Sequence, residues 1–482
     1  MKTVCTAPGG SVILHLGLGS FHRAHQAVYL HHLRESGDCS WCSVAGNIRN
    51  DMPDIMAALI DQHGEYTLET VSPAGERRYE RIRSICEVIP FDPSLARLIE
   101  VGADPATRII SFTVTEAGYY LDAKSELDLS YADLRADLEA DARCTIYGAI
   151  AAILRERMKR GGAPVTLLNC DNLRSNGTRL RAGLFDFFAR RGETALRAWV
   201  EANTTFPCAM VDRITPRPLA ALAERVAAAT GWNDRAPVMG ESFIQWVVED
   251  RFVAGRPAWE KVGVVMVDSV HAFEEAKIRV LNATHSCIAW AGTLRGLTYI
   301  HEGVAVPEIR QMAYDYVTND VTPCLDTPEQ PCPIDLPTYR DEVLDRFSNP
   351  YLRDTNQRVA MDGFSKIPGF IVPTLRDCIA RGATFASTAM LPALFFEFLR
   401  LWHHGGLAFT YQDGVMNPAA VHAFLDEPDP LGAFCRDRQL WGPLAGQPGL
   451  VSAMRAAHAK VLRFTGERPQ AVASPPPPPE GV

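Results

Sequence analysis

The segment "EEAKIRVLNATHS", residues 274–286, sets a lysine, an asparagine and a histidine among Ile278, Val280 and Leu281. At roughly 100° per residue in a helix, Lys277, His285 and Asn282 project within an arc of about 140°, with His285 between the other two. An amine, an amide and an imidazole on one face are residue types that move a proton and hydrogen-bond a substrate. A solvated face would normally mix Glu with Lys rather than set one lysine beside these two groups. Spacing alone leaves a second reading open: a salt-bridged lysine with two satisfied core polar groups.

A second constellation lies near the N-terminus. The stretch "LHLGLGSFHRAH" (14–25) ends an apolar run and opens a helical pattern. That is where a dinucleotide pyrophosphate rests on helix N-terminal amides. Gly17 suits the tight turn and Gly19 the close approach of backbone to phosphate, with Phe21 and Arg23 as further cofactor-side candidates in the same turn. The third glycine position holds His22, so an ordinary strand-to-helix turn stays open as an alternative. In "GNIRNDMPD" (46–54), Asp51 is a candidate to accept a ribose hydroxyl, which favours NAD over NADP, whereas Arg49 would act in the opposite sense.

These groups need elements to hold them. "SVILHLGLG" (11–19), "CSVAGNIR" (42–49), "TRIISFTVTEAGY" (107–119), "PVTLLNCDN" (164–172) and "VGVVMVDSV" (262–270) read as strands. Between them run helix-period segments such as "HRAHQAVYLHHLRESG" and "TIYGAIAAILRERMKRG". Continuous apolar strands alternating with helices predict an α/β domain whose parallel sheet is covered on both faces. After residue 271 the texture becomes helical throughout, as in "VPEIRQMAYDYVTNDV" and "LPALFFEFLRLWHHGG". The expected organisation is a dinucleotide-binding domain over 1–270, a mostly helical substrate domain over 271–467, and a mobile Pro-rich tail over 468–482.

Composition excludes several classes. A net charge of −9 argues against nucleic-acid or anionic-membrane partners. The most apolar segments fall far short of the roughly 20 residues a membrane span needs. The N-terminus lacks the arrangement of a signal peptide, so a cytoplasmic protein is expected. Most of the twelve cysteines sit in apolar surroundings as small core residues. Cys39 and Cys42 form a CxxC with no second pair at metal spacing, and no metal is expected. His22, His25, His31 and His32 suit a phosphate-facing or surface helix better than a metal site, and Asp212 with Arg213 reads as a buried structural ion pair.

Taken together, "GLGSFHRAHQAVY" (17–29), "FPCAMVDRITP" (206–216) and "KIRVLNATHS" (277–286) resemble the polyol-specific long-chain dehydrogenases, or mannitol dehydrogenase family, in order over nearly the whole chain. The resemblance implies a Rossmann-like doubly wound N-terminal domain joined to a mostly α-helical one, NAD as cofactor, no metal, and a monomer. It implies Lys277 as general base, Asn172 and Asn282 as oxygen-stabilising amides, and His285 as a substrate-orienting group. It points further to Asp212, Arg358 and Lys366 at the substrate, Glu116 on the cofactor side, and Glu274 on a proton route.

The implied reaction is reversible oxidation of a small polyol to a ketose, D-arabinitol to D-xylulose. D-mannitol to D-fructose, or a related hexitol, is the alternative. A sugar-acid reductase and a non-catalytic NAD-binding protein are the remoter ones. Without zinc, a protein base and neutral donors must serve the alkoxide. A free lysine, mostly protonated at neutral pH, needs desolvation or a neighbouring positive charge to act as that base.

Overall fold

The computed structural model describes residues 10–122, 126–217 and 220–466. The expected Pro-rich tail lies outside the described residues. The chain divides into two compact units between Glu274 and Glu275.

The first unit is built on a six-stranded parallel sheet of order β5-β2-β1-β6-β7-β8. Its strands are β1 (Ser11–Leu16), β2 (Trp41–Gly46), β5 (Ile85–Ile89), β6 (Thr107–Phe112), β7 (Val165–Asn169) and β8 (Thr204–Thr205). Counting within this sheet, the order is 3-2-1-4-5-6, and the chain reverses direction of travel between β1 and β6. Alternate residues serve opposite faces. Leu14, Leu16, Ile110, Phe112 and Leu167 pack with Leu98, Ile150, Leu154, Leu184 and Phe187. Ile13, Ile109 and Leu168 pack with Leu30, Leu33, Trp246 and Trp259. Burial on both faces explains why these strands read as continuous apolar runs.

Two three-stranded sheets complete the unit. One has the order β10 (Val238–Glu241), β3 (Tyr66–Val71), β4 (Arg77–Ile82), and the other β12 (Val265–Val267), β11 (Gln245–Glu249), β9 (Ala209–Asp212). The buried strand expected over 262–270 is corrected here. Only Val265–Val267 is extended, it is an edge strand paired on one side, and Val265 is exposed. Trp259–Val262 ahead of it forms a 3-10 turn.

The helix expected after β1 is two helices, Ser20–Ala24 and Gln26–Glu35, broken at His25 with φ −130° and ψ −89°. The break points the His25 ring at Gln245 O, 2.8 Å away. The surface-helix reading of the histidines is overturned for three of them. His22, His25 and His31 are buried, and only His32 lies exposed, bonded to Glu80. His22 stacks on His15 with ring centroids 3.4 Å apart. Burial pushes its pKa down to about 3, so it folds as a neutral ring.

The second unit is helical. Its central helix Ala283–Leu294 is apolar almost all round and is wrapped by helices Ile300–Ala305, Pro307–Asp315, Asn356–Ala360 and Met390–His403. Trp290 at its centre is fully buried and donates to Ala360 O. Among the described residues, three segments have i→i+5 bonding: Lys277–Asn282, Tyr316–Val321 and Ile367–Ile371. The second and third both pack against the first. Such π segments cost bonding geometry, and they recur at functional sites.

Candidate active site

In the first unit, a cavity of about 480 Å³ opens at the carboxyl ends of β1, β2 and β6. That is the crevice where open α/β sheets take ligands. Gly17 turns the chain with φ +103°, and a Cβ there would lie 2.9 Å from Thr113 O, so only glycine fits. Gly19 has open space on its side-chain face. Asn47 Oδ1 accepts from Leu18 N at 2.7 Å, which holds the turn between the two glycines. Asp51 lines the cavity and is exposed. Arg49 also lines it, with its guanidinium on Asp133 (2.7 Å) and the Tyr120 hydroxyl (2.5 Å).

Phe21 and Arg23, expected beside the cofactor, are not among the cavity's lining residues. Phe21 stacks on His25 and packs toward Trp246. Arg23 is 1% exposed, donates to Ala236 O and lies 5.3 Å from the Tyr66 ring centroid. The short helix Ser20–Ala24 turns both inward to anchor β10 and β11. For Glu116 the backbone lies in a 3-10 turn, Glu116–Tyr119, and its side chain lies outside the described residues.

Asn172 is exposed in the loop after β7. The loop is held by its neighbour Asp171, a residue the sequence reading passed over. Asp171 accepts from Val114 N and the Tyr119 hydroxyl, each at 2.5 Å, and Asn169 Nδ2 donates to the same hydroxyl. Burial raises the Asp171 carboxyl to about 7 against the pull of those bonds. Val114 lines the cavity, so one buried carboxyl ties the Asn172 loop to its wall. Asp212 ends β9 and is buried. Arg213 spends its guanidinium on Glu241 O and Ala24 O, bracing backbone. Glu274 is buried, and its Oε1 accepts from Ser175 N at 2.9 Å.

In the second unit, Lys277 is buried at the start of the π segment that Asn282 ends, and His285 follows on the same continuous helix. Because Ala283 N bonds back to Ile278 O, the turn is widened. Lys277 and Asn282, five apart, therefore stand about one turn from each other, closer in angle than α-geometry gives. His285 and the expected Arg358 meet through Asp354, which the sequence reading missed. His285 Nε2 lies 3.1 Å from Asp354 Oδ2, off the line of a hydrogen bond. Arg358 grips both Asp354 oxygens at 2.7 Å. The acid four residues ahead of Arg358 in "RDTNQR" was the available signal.

Burial would raise the Asp354 carboxyl, but His285 and Arg358 hold it well below its ordinary value. His285 is lowered by burial against the pull of Asp354, and it stacks on Phe347 at 4.3 Å. Lys366 donates to Val359 O at 2.6 Å, and burial brings its amine down to about 8. A neutral imidazole, a fixed carboxylate and a depressed amine thus share one neighbourhood. Among the described residues, no group of three or more His, Cys, Asp or Glu is arranged to hold a metal ion. None of their helices is long and apolar enough to cross a membrane.

Residues 11–261 match the mannitol dehydrogenase Rossmann domain, and residues 269–462 the mannitol dehydrogenase C-terminal domain. A D-arabinitol 4-dehydrogenase from Ralstonia nicotianae is 61% identical over 460 residues, covering 95% of this chain and 98% of the relative. One from Klebsiella pneumoniae is 55% identical, covering 93% and 97%. The mannitol 2-dehydrogenase of Pseudomonas fluorescens, solved as a ternary complex with NAD and D-mannitol, superposes with a TM-score of 0.81 at 33% identity, over 96% of this chain and 94% of that one. With both domains matched in order and relatives at more than half identity along nearly their full length, the chain belongs to the mannitol dehydrogenase family.

Proposed function

We propose that this protein is an NAD-dependent polyol dehydrogenase that reversibly oxidises D-arabinitol to D-xylulose without a metal. What carries the reading is the helix through Lys277. It buries an amine at the head of a π segment, ends that segment in an amide, and sets an imidazole against a fixed carboxylate. The relatives named for D-arabinitol support the substrate, standing at 61% and 55% identity against 33% for the solved mannitol enzyme.

The cavity at the carboxyl ends of β1, β2 and β6 fits a dinucleotide. Gly17 admits no Cβ, Gly19 leaves backbone open, and Asp51 stands on the wall to accept a ribose hydroxyl. Arg49 is committed to Asp133 and Tyr120, which favours NAD over a 2′-phosphorylated cofactor. When bound, NAD supplies the acceptor for the carbinol hydride.

The chain's own residues handle the proton and the oxygen. Lys277 takes the hydroxyl proton, and in the reverse direction returns it to the ketose oxygen. The amides of Asn172 and Asn282 donate to that oxygen as negative charge develops, each worth about 3 kcal/mol. His285, its pKa lowered by burial and its Nε2 turned to Asp354, has Nδ1 left to orient a polyol hydroxyl. Arg358, Lys366 and Asp212 complete the substrate contacts. Glu274, three residues ahead of Lys277, passes the proton on. Glu116 belongs to the cofactor side. The enzyme is read as a cytoplasmic monomer acting on small polyols and ketoses.

Initial rates of NADH formation with D-arabinitol, D-mannitol, D-sorbitol and xylitol, with and without chelator, test the reading. The expected result is a kcat/KM preference for D-arabinitol that ignores chelator. A preference for D-mannitol would move the substrate, and loss of activity with chelator would remove the lysine mechanism.

A further inference from the structure

Two thiols meet behind the helix that carries Lys277. Cys324 Sγ lies 3.5 Å from Cys378 Sγ, and neither is in a disulfide. Cys324 sits in the short helix Thr322–Leu325 that continues the π segment Tyr316–Val321, and it is half-buried. Cys378 sits in the helix Val372–Ala380 that continues the π segment Ile367–Ile371, and it is buried. Both π segments pack against Lys277–Asn282. The residue beside Cys378 makes the link direct. Asp377 accepts from the guanidinium of Arg279, two residues past Lys277, whose other arm is held by Glu275 at 2.8 Å. The remaining cysteines of the second unit, Cys287, Cys332 and Cys435, have no comparable thiol contact among the described residues.

We propose that Cys324 and Cys378 form a redox-active dithiol, oxidised by a small disulfide of the glutathione class, and that the resulting bond lowers turnover by displacing the Asp377–Arg279 clamp. Cys324 is the attacking sulfur, being the more accessible. The hydrogen bond from Cys378 also lowers its pKa, while the Cys378 thiol is raised by the same contact. The Cys324 thiolate attacks the small disulfide, forming a mixed disulfide and releasing one small thiolate. Cys378 sulfur then attacks Cys324 Sγ, forming the intramolecular bond and releasing the second. Two electrons pass from the pair to the small disulfide, and the two thiol protons leave with the two small thiols. Closing from 3.5 Å to a bond of about 2.05 Å draws the two helices together by up to about 1.5 Å. In a reducing cytosol, disulfides of this kind are transient and sensing rather than structural. The effect on turnover rests on the polyol dehydrogenase reading, whereas the formation of the bond does not.

The test incubates the full-length protein with NAD in defined ratios of reduced to oxidised glutathione, quenches it by alkylation, maps the cysteines by mass spectrometry, and assays each sample with D-arabinitol. Bridged Cys324–Cys378 peptides should accumulate as the oxidised fraction rises. In the same samples kcat/KM should fall about tenfold or more, as expected for a misplacement near 1 Å, and dithiothreitol should restore it. Cys378→Ser should stop at glutathione on Cys324, and Cys324→Ser should keep its activity at every ratio. Cys39→Ser, which removes an exposed thiol far along the chain, should respond as the parent does. Glutathione on Cys39 with no Cys324–Cys378 bridge, even in fully oxidised glutathione, would overturn the proposal. So would a bridge that leaves kcat/KM unchanged. A protein inactive on every polyol before oxidation would refute the function instead, and the peptide map would still decide the bridge.

Discussion

The turn after β1 and the helix through Lys277 solve opposite problems. The turn is made of backbone: Gly17 at φ +103° under Thr113 O, Gly19 open to the cavity, and an asparagine pinning the amide between them. It places no charged side chain in its own stretch and relies on shape. The helical region buries Lys277 and half-buries His285, Asp354 and Lys366, groups that cost free energy to remove from water. It compensates by pairing: His285 with Asp354, Asp354 with Arg358, Arg279 with Glu275 and Asp377. Recognition of a common cofactor can be carried by chain geometry, while the chemistry needs charges held against their solvation preference.

This contrast predicts different failures on the two sides. Lys277→Ala should lower kcat by about 10²–10⁴ while NAD affinity, read by binding in the absence of polyol, holds. Asn282→Ala should cost about 3 kcal/mol, or roughly a hundredfold in kcat, with the same indifference in NAD binding. Gly17→Ala should do the reverse, raising KM for NAD about tenfold with a smaller change in kcat. It should also lower stability by about 1–3 kcal/mol through left-handed strain, read as a fall in Tm. If Gly17→Ala struck kcat and Lys277→Ala struck NAD binding, the comparison would be broken.

How far the sequence foretold each side follows from the same physics. Fully buried strands announce themselves: β1, β6 and β7 fall within the apolar runs read for them, and β2 starts one residue ahead of its run, at Trp41. β4, "RRYERI", and β5, "ICEVI", were missed because charge on one face dilutes the apolar signal. The α period located the Lys277 helix but not its π segment, since a one-residue widening changes bonding without changing composition. Arg23 and the three buried histidines misled because polar side chains held by backbone groups or ring stacking look the same, in sequence, as exposed ones. Asp354 and Asp171 act through partners distant in the chain, His285 at one and Tyr119 at the other. That Asn172 and Lys277 serve one substrate is an expectation of the family resemblance alone, since periodicity cannot link residues so far apart in the chain.

Smaller effects sharpen the electrostatic half. Burial lowers Lys366 from 10.5 to about 8, so between those values the unfolded chain binds more protons than the folded one. Stability should therefore rise with pH across that window, by at most about 1.4 kcal/mol per pH unit, and Lys366→Met should flatten the rise in Tm. On the acid side, His285 is depressed below 6.5 and Asp354 is held below its ordinary range. The unfolded chain again binds more protons, so stability should fall as pH drops through 6.5 and on past the carboxylate range. Asp354→Asn should remove the lower part of that loss. The smallest change belongs to the cofactor side: Asp51→Ser should reduce the preference for NAD over NADP about tenfold, read as a ratio of kcat/KM values.

Chemical rescue of Lys277→Ala tests the central claim most directly. If Lys277 is the base, small primary amines added to the variant should restore D-arabinitol oxidation in proportion to the free-base amine, rising with pH as more amine is neutral. A variant that turns over as fast as the parent, or one that stays inactive at every amine concentration while binding NAD and D-arabinitol normally, would contradict it.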